Sequence, residues 1–329
     1  MCLYPIFIKN KKYLPNKKNG GFPPACEDYR TRFIPAECGE CYECRKKKQR
    51  EWCVRMLEEL KENPNAYFWS LTIDDKNFNK LKKEAKCKDV NIIAKLAVRR
   101  LLERCRKLTG KSIKHWFITE LGHENTKRLH LHGFTWGIAT RNVIAECWKY
   151  GFVYCGDYVN SRTVFYVTKY MLKKDKKNAD FKGKVFASAG IGANFYNKND
   201  AYEKQLNHDG SFKDYYRLQD GRKIALPKYF KNKILSEDER ERLWIKKLDK
   251  GEKWVMGEKC TTEEEYMKAL EYHAARCREI HGDKARESKK LASIPDVSPI
   301  NGRGSDENCE SDLFNIEECL LYSDNYVPF

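Results

Sequence analysis

The 329-residue chain has no apolar run approaching the length of a membrane span. Its first stretch, from Met1 to Lys9, is too short and too soon interrupted for a secretory signal. A soluble protein working inside the cell is therefore expected, and a membrane partner is not. Internal repeats are also missing, which argues against a solenoid or a propeller. The 14 cysteines lack the even spacing of a small secreted disulfide scaffold. Reduced thiols with one metal cluster fit better. The small-residue turn from Phe186 to Gly192 has no Lys-Ser/Thr after it, so it is not a phosphate-binding P-loop. Acidic residues are in deficit, 47 Asp and Glu against 64 Lys and Arg, which leaves a net charge of +17.

That excess is uneven. From Asn301 to Phe329 there are seven acidic residues and one basic one, so the positive charge belongs to the first three hundred residues. A large positive excess with 13% aromatic residues favours a polyanionic partner, most often nucleic acid. Residues 1–37 are rich in Lys, Asn, Gly and Pro and read as irregular. A helix follows to about Lys61, with Trp52, Met56, Leu57 and Leu60 as its apolar stripe, and Asn63-Pro64-Asn65 ends it. Tyr67 to Asp74 reads as a strand, Val90 to Leu108 as a helix stopped by Gly110, and Ile113 to Glu120 and Leu129 to Trp136 as an antiparallel hairpin. A short helix capped by Thr140, a strand from Phe152 to Val159, and a helix from Ser161 to about Lys174 complete the series. The order β-α-β-β-α-β-α indicates an α+β fold with an antiparallel central sheet and helices on one face. Tyr215 to Tyr229 reads as a hairpin and a turn, and two further helices start at Ser236 and near Thr262. The expected division is an N-terminal Cys-rich segment and helix (1–66), a central domain (67–235), a helical C-terminal region (236–282) and a disordered tail (283–329).

Three clusters carry chemistry. His130 and His132 lie two apart in an apolar, period-2 run, so they share one face of a strand. Glu120 ends the neighbouring strand, and its carboxylate can reach the same cation. Two nitrogens and one oxygen with open positions suit Mg²⁺ or Mn²⁺ held partly by a substrate phosphate. His123 is a weaker candidate, and His115 reads as a strand-edge histidine. Tyr166 and Tyr170 lie four apart on one helix face, and a lysine follows each at the same offset, Lys169 and Lys173. A nearby ammonium can favour a phenolate or steer a scissile phosphate, and packing alone requires no such doubled Tyr-x-x-Lys. Cys38, Cys41 and Cys44 give three soft ligands, and Cys26 or Cys2 is available as a fourth for structural Zn²⁺.

The His-hydrophobic-His strand followed by a tyrosine helix resembles the HUH endonucleases, which nick single-stranded DNA and start rolling-circle replication. The doubled motif YVTKYMLK resembles the two-tyrosine branch. Four segments, CGECYECR (38–45), SLTIDD (70–75), TELG…LHLHGF (119–134) and YVTKYMLKK (166–174), are similar to the replication initiators of microviruses, in particular the gokushovirus branch. IGANFY (191–196) and Leu226 to Tyr229 resemble weaker downstream landmarks of that family. Leu129 departs from the small residue that such initiators often place before the first histidine. The likeness reaches to about residue 235. It implies an RRM-like β-α-β-β-α-β core, His130, His132 and Glu120 as metal ligands, and Tyr166 and Tyr170 as nucleophiles supported by Lys169 and Lys173. It further implies a nickase and strand transferase acting on viral origin DNA in the host bacterial cytoplasm, with a host replicative helicase and DNA polymerase as partners. The same-class alternative is a plasmid initiator, relaxase or transposase. The other is a non-catalytic zinc and nucleic-acid binding protein, which leaves the histidine pair and the doubled tyrosine motif unexplained.

Overall fold

The computed structural model describes residues 2–122, 128–156, 158–173 and 181–283. His123 and the expected tail from residue 284 onward lie outside them. Contacts divide the chain into two compact units, one running to Arg45 and resuming at Ser236, the other spanning Lys46–Leu235.

In the first unit, β1 (Ile6–Lys9) pairs antiparallel with β2 (Phe33–Ala36). Part of the stretch expected to be irregular is therefore a two-stranded ribbon. Each strand is only four residues long and a long polar segment separates them, so no local pattern announces the pair. The chain then enters α1 (Tyr42–Glu62), which ends before Pro64 as its sequence predicts.

The second unit is built on β3 (Ala66–Ile73), β4 (Lys114–Leu121), β5 (Leu129–Trp136), β6 (Val153–Gly156) and β7 (Val185–Ala187). They form one five-stranded antiparallel sheet in the order β6-β3-β5-β4-β7. Between β3 and β4 lie α2 (Asp75–Ala85) and α3 (Val90–Thr109). Between β5 and β6 lies α4 (Arg141–Cys147), and after β6 comes α5 (Ser161–Thr168). The first four strands reproduce the β-α-β-β-α-β arrangement, β4 lying parallel to β3 with β5 between them. Asp74 starts α2 by accepting a hydrogen bond from the Asn77 amide at 2.7 Å, and Asp89 starts α3 in the same way. Gly110 closes α3 with φ +72°.

Side chains alternate cleanly across this sheet. Trp69, Leu71, Ile73, Phe117, Leu129 and Leu131 pack under α2, α3 and α4. Ala66, Trp116, Ile118, Phe134 and Trp136 face the other way, against Trp52, Cys53 and Met56 of α1 and Val164 and Val167 of α5. Helices thus cover both faces, where the sequence suggested one. The reason is in the strands: even-numbered positions carry as much apolar surface as odd ones, and both must leave water.

The hairpin β8 (Tyr215–Arg217) with β9 (Lys223–Ala225) is as expected, but the turn after it is a helix, α6 (Lys228–Ile234). The first unit resumes with α7 (Glu237–Asp249), the ribbon β10 (Lys253–Val255) and β11 (Glu258–Cys260), and α8 (Glu263–His281). Ser236 with Glu239 and Thr262 with Glu265 close capping boxes at the two helix starts. The fold is mixed α+β, with eight α-helices among the described residues, none of them long and apolar enough to cross a membrane.

Candidate nuclease site and cysteine cluster

Register builds the first site. Across β3, β5 and β4, Thr72 stands opposite His130 and His130 opposite Glu120; in the next row Ser70, His132 and Ile118 align. All six lie on the face that α1 and α5 cover. His132 is buried, and its Nε2 lies 2.7 Å from Glu120 Oε2. The Lys173 ammonium pairs with the other oxygen of Glu120. Burial alone would raise the Glu120 carboxyl, but the hydrogen bonds from His132 and Lys173 outweigh it and hold the group low, so it is a carboxylate. His130 is turned by a 2.9 Å hydrogen bond between its Nδ1 and Thr72 Oγ1. Burial, and then His132, depress its pKa, which keeps the imidazole neutral as a ligand requires. Its Nε2 faces Gly122, where a Cβ would stand 3.2 Å away. The absent side chain leaves that nitrogen accessible.

Asn160 starts α5 with a capping box closed by Thr163. The α-helix ends at Thr168, and Lys169–Met171 continue as a single 3-10 turn, where the sequence suggested α-helix to about Lys174. Thr168 accounts for the tightening: its hydroxyl donates back to the carbonyls of Val164 and Phe165 and lies 3.2 Å from Cys53 Sγ. Tyr166 and Tyr170 still converge. Their hydroxyls are 3.3 Å apart, with the rings at 87°. Tyr170 stacks on His132 with centroids 4.4 Å apart and 6° between planes. Tyr166 is 50% exposed. Lys169 Nζ lies 4.9 Å above the Tyr166 ring and Lys173 Nζ 5.6 Å above that of Tyr170. The Tyr170 hydroxyl is pushed up by burial, then by the Tyr166 hydroxyl and the Glu120 charge.

The structure therefore gathers His132, Glu120, Tyr166, Tyr170, Lys169 and Lys173 around His130. Thr72 and Gly122 are further parts of this site, and register with the histidine strand is the signal that points to Thr72. His115 is elsewhere: it is buried on the opposite face of β4, with Nδ1 2.8 Å from Ser188 Oγ, rather than at a strand edge.

The second site lies in the first unit. Cys2, Cys38, Cys41 and Cys44 bring their sulfurs within 4.8 Å of one another. Among the described residues this is the only such metal-ligand group; His130, His132 and Glu120 do not close to that distance. The pairs Cys38–Cys44 and Cys2–Cys41 stand at 3.8 and 4.0 Å. Tetrahedral zinc with Zn–S near 2.3 Å requires sulfurs about 3.8 Å apart, so the set fits. Disulfides, at about 2.05 Å, do not. Amides of Tyr4 and Cys38 donate to Cys2 Sγ, each at 3.3 Å. Cys26, expected as a fourth ligand, is not in the group. Its thiol lies 3.2 Å from the Asp28 carbonyl and 3.6 Å from Thr31 Oγ1, drawn into the turn that Asp28 caps. Four sulfurs so placed can hold a metal ion such as zinc.

Residues 66–175 match the family model of the ORF2-type replication-associated proteins. The match supports a replication initiator. It begins at the first residue of β3 and runs past Lys173, so it contains every residue of the histidine–tyrosine site and about a third of the chain. No curated protein and no solved structure matches the chain.

Proposed function

We propose that the protein is a metal-dependent, site-specific nickase and strand transferase for single-stranded DNA that initiates rolling-circle replication of a microvirus-like phage genome. The observation that carries this reading is the convergence of two tyrosine hydroxyls beside a His132–Glu120 pair on one sheet face. His130, His132 and Glu120 would hold Mg²⁺ or Mn²⁺. The cation polarises the scissile phosphate when bound.

The chain's own residues do the rest. Tyr166, half exposed, presents its oxygen to the phosphorus; the P–Oη bond forms as the P–O3′ bond breaks. The phenolic proton passes to solvent and the departing 3′-oxygen takes one up. One phosphodiester is exchanged for another, so religation by the 3′-hydroxyl needs no external energy source. Lys169 and Lys173 offset the charge that grows on the phosphoryl oxygens. Tyr170 remains free to cut the regenerated origin while Tyr166 is esterified. The tetrathiolate set would hold a structural zinc ion. Host helicase and polymerase would extend the freed 3′ end.

Trapping the adduct tests the tyrosines. With phage single-stranded DNA and Mn²⁺, Tyr166→Phe or Tyr170→Phe alone should still give a covalent adduct, while release of closed circles falls at least tenfold. The double Phe variant should give no adduct. A nucleotide found by mass spectrometry on any residue outside 161–171 sinks the assignment.

A further inference from the structure

The sheet face that carries the histidines continues outward to two aromatic side chains with large exposed areas. Phe152 and Tyr154 are 69% and 53% exposed. They belong to β6 and the residue before it, at the edge of the sheet. Register fixes where they point. Tyr154 stands opposite Ser70, and Ser70 opposite His132. The Phe152 carbonyl accepts from the Thr72 amide at 2.9 Å, and Thr72 stands opposite His130. Val153 and Cys155 pack into the core under α2–α4, so the alternating side chains of Phe152 and Tyr154 take the other face, the one with the histidines.

Between the aromatics and the imidazoles stand only Ser70 and Thr72, both partly exposed. Small hydroxyl side chains there leave a shallow trough two strand spacings wide, about 10 Å. The Tyr154 ring is braced edge-on against Phe68, with centroids 6.2 Å apart. Two exposed aromatics on an edge strand are a liability for edge-to-edge pairing unless something covers them. Their place beside a site for a phosphate, with the Lys169 and Lys173 ammonium groups on its far side, says what the cover is.

We infer that Phe152 and Tyr154 form a base-stacking platform for the nucleotides flanking the phosphate bound at His130 and His132. The inference rests on the nickase reading for the position of that phosphate. Stacking on a flat ring needs a base whose face is open, so the platform takes unpaired DNA and rejects duplex. It is tolerant of sequence, because every base has such a face.

The test is fluorescence anisotropy with the full chain, a short labelled oligothymidylate and EDTA. Phe152→Ala and Tyr154→Ala should each weaken binding about tenfold, and the double change further. Tyr154→Phe should bind as the parent protein does. The slope of affinity against salt should stay the same, since no phosphate contact is lost. Melting temperatures should not move, because both side chains are exposed. A 5-iododeoxyuridine oligonucleotide should crosslink to Phe152 or Tyr154 under light. Unchanged affinity in the double variant overturns the proposal. So does a parent dimer in sedimentation that the double variant converts to monomer, since the aromatics then serve a second copy of the chain. No readout requires cleavage. Binding loss in a protein that never nicks sinks the nuclease and keeps the platform; nicking with unaffected binding does the reverse.

Discussion

His130 and His132 differ in their surroundings although they lie only two positions apart. His132 is buried, stacked on Tyr170 and hydrogen-bonded to Glu120, while His130 leans on Thr72 and keeps its Nε2 beside the space at Gly122. Losing either imidazole removes one of three ligands, and the cation then has too few protein donors to hold it against water. His130→Ala and His132→Ala should each abolish nicking, a drop of about a hundredfold or more in an oligonucleotide cleavage assay. Most DNA binding should survive, because the phosphate contacts of a basic surface supply it. Normal nicking by both variants in EDTA-treated buffer would show that no cation site exists here. The pair itself is legible in sequence, since period 2 places both rings on one face. Gly133, which follows them, is not. A Cβ there would stand 1.9 Å from the Trp116 carbonyl oxygen and 2.7 Å from Phe117 Cα, so glycine is set by the close approach of β4 to β5. Only the folded pair of strands reveals that constraint.

Elements with one-sided apolar patterns are readable from the chain, and elements held by polar contacts are not. α3 shows a clean stripe of Ile93, Ala97, Leu101 and Cys105, an aspartate at its start and a glycine at its end, and it lies where that pattern puts it. α1 has a stripe too, but the stripe understates its burial. Arg55, Glu58 and Glu59 are buried as well. Glu59 accepts from Lys114 at 2.8 Å and from the Gly192 amide at 2.9 Å. The Tyr216 hydroxyl lies 2.5 Å from Glu58 Oε1. Arg55 donates to the Ile191 carbonyl at 3.2 Å and is sandwiched between Trp52 and Tyr229, at 4.2 and 4.0 Å. Nearly all of these partners lie far along the chain, so no window of sequence holds the information. They also give a physical account of two stretches, IGANFY (191–196) and Leu226 to Tyr229, that sequence offers only as landmarks: both dock on α1. The missed strand β7 is similar, three residues that gain their identity by pairing with β4. Gly192 is the tightest point of the α1 contact. It has φ +74°, and a Cβ would come within 2.7 Å of the Arg55 carbonyl oxygen. Gly192→Ala combines left-handed strain with a backbone clash and should destabilise by about 2–4 kcal/mol. Urea denaturation followed by tryptophan fluorescence measures it; a change below about 0.5 kcal/mol would show that the docked turn gives way easily.

At the scale of the molecule, the charge and the cysteines answer different needs. The positive excess lies before residue 301 and serves a polyanion, whereas the cysteine set gathers sequence-distant parts of the first unit. Cys2 comes from the N-terminus, and Cys38, Cys41 and Cys44 from the entry to α1. Cys2, Cys41 and Cys44 share one core with Val255 and with Tyr266, Leu270, Ala274 and Cys277 of α8. That core is small and otherwise short of large side chains, so a metal ion would supply much of its folding free energy. The three-cysteine spacing is legible in sequence, but the choice between Cys2 and Cys26 is not, because both approach from separate turns of chain. The fold brings Cys2 to the cluster, and that placement can be checked. Purified protein should carry about one equivalent of zinc. Cys2→Ser should lose it and Cys26→Ser should keep it, since Cys26 is engaged with Asp28 and Thr31. Chelation should raise amide hydrogen exchange across Glu263–His281 by at least tenfold. The strands Ala66–Ile73 and Leu129–Trp136, which belong to the other unit, should exchange as before. Zinc retained by Cys2→Ser and lost by Cys26→Ser would reverse the ligand assignment. Zinc below about a tenth of an equivalent, with all thiols open to titration, would leave the cluster without its metal and α8 held by packing alone.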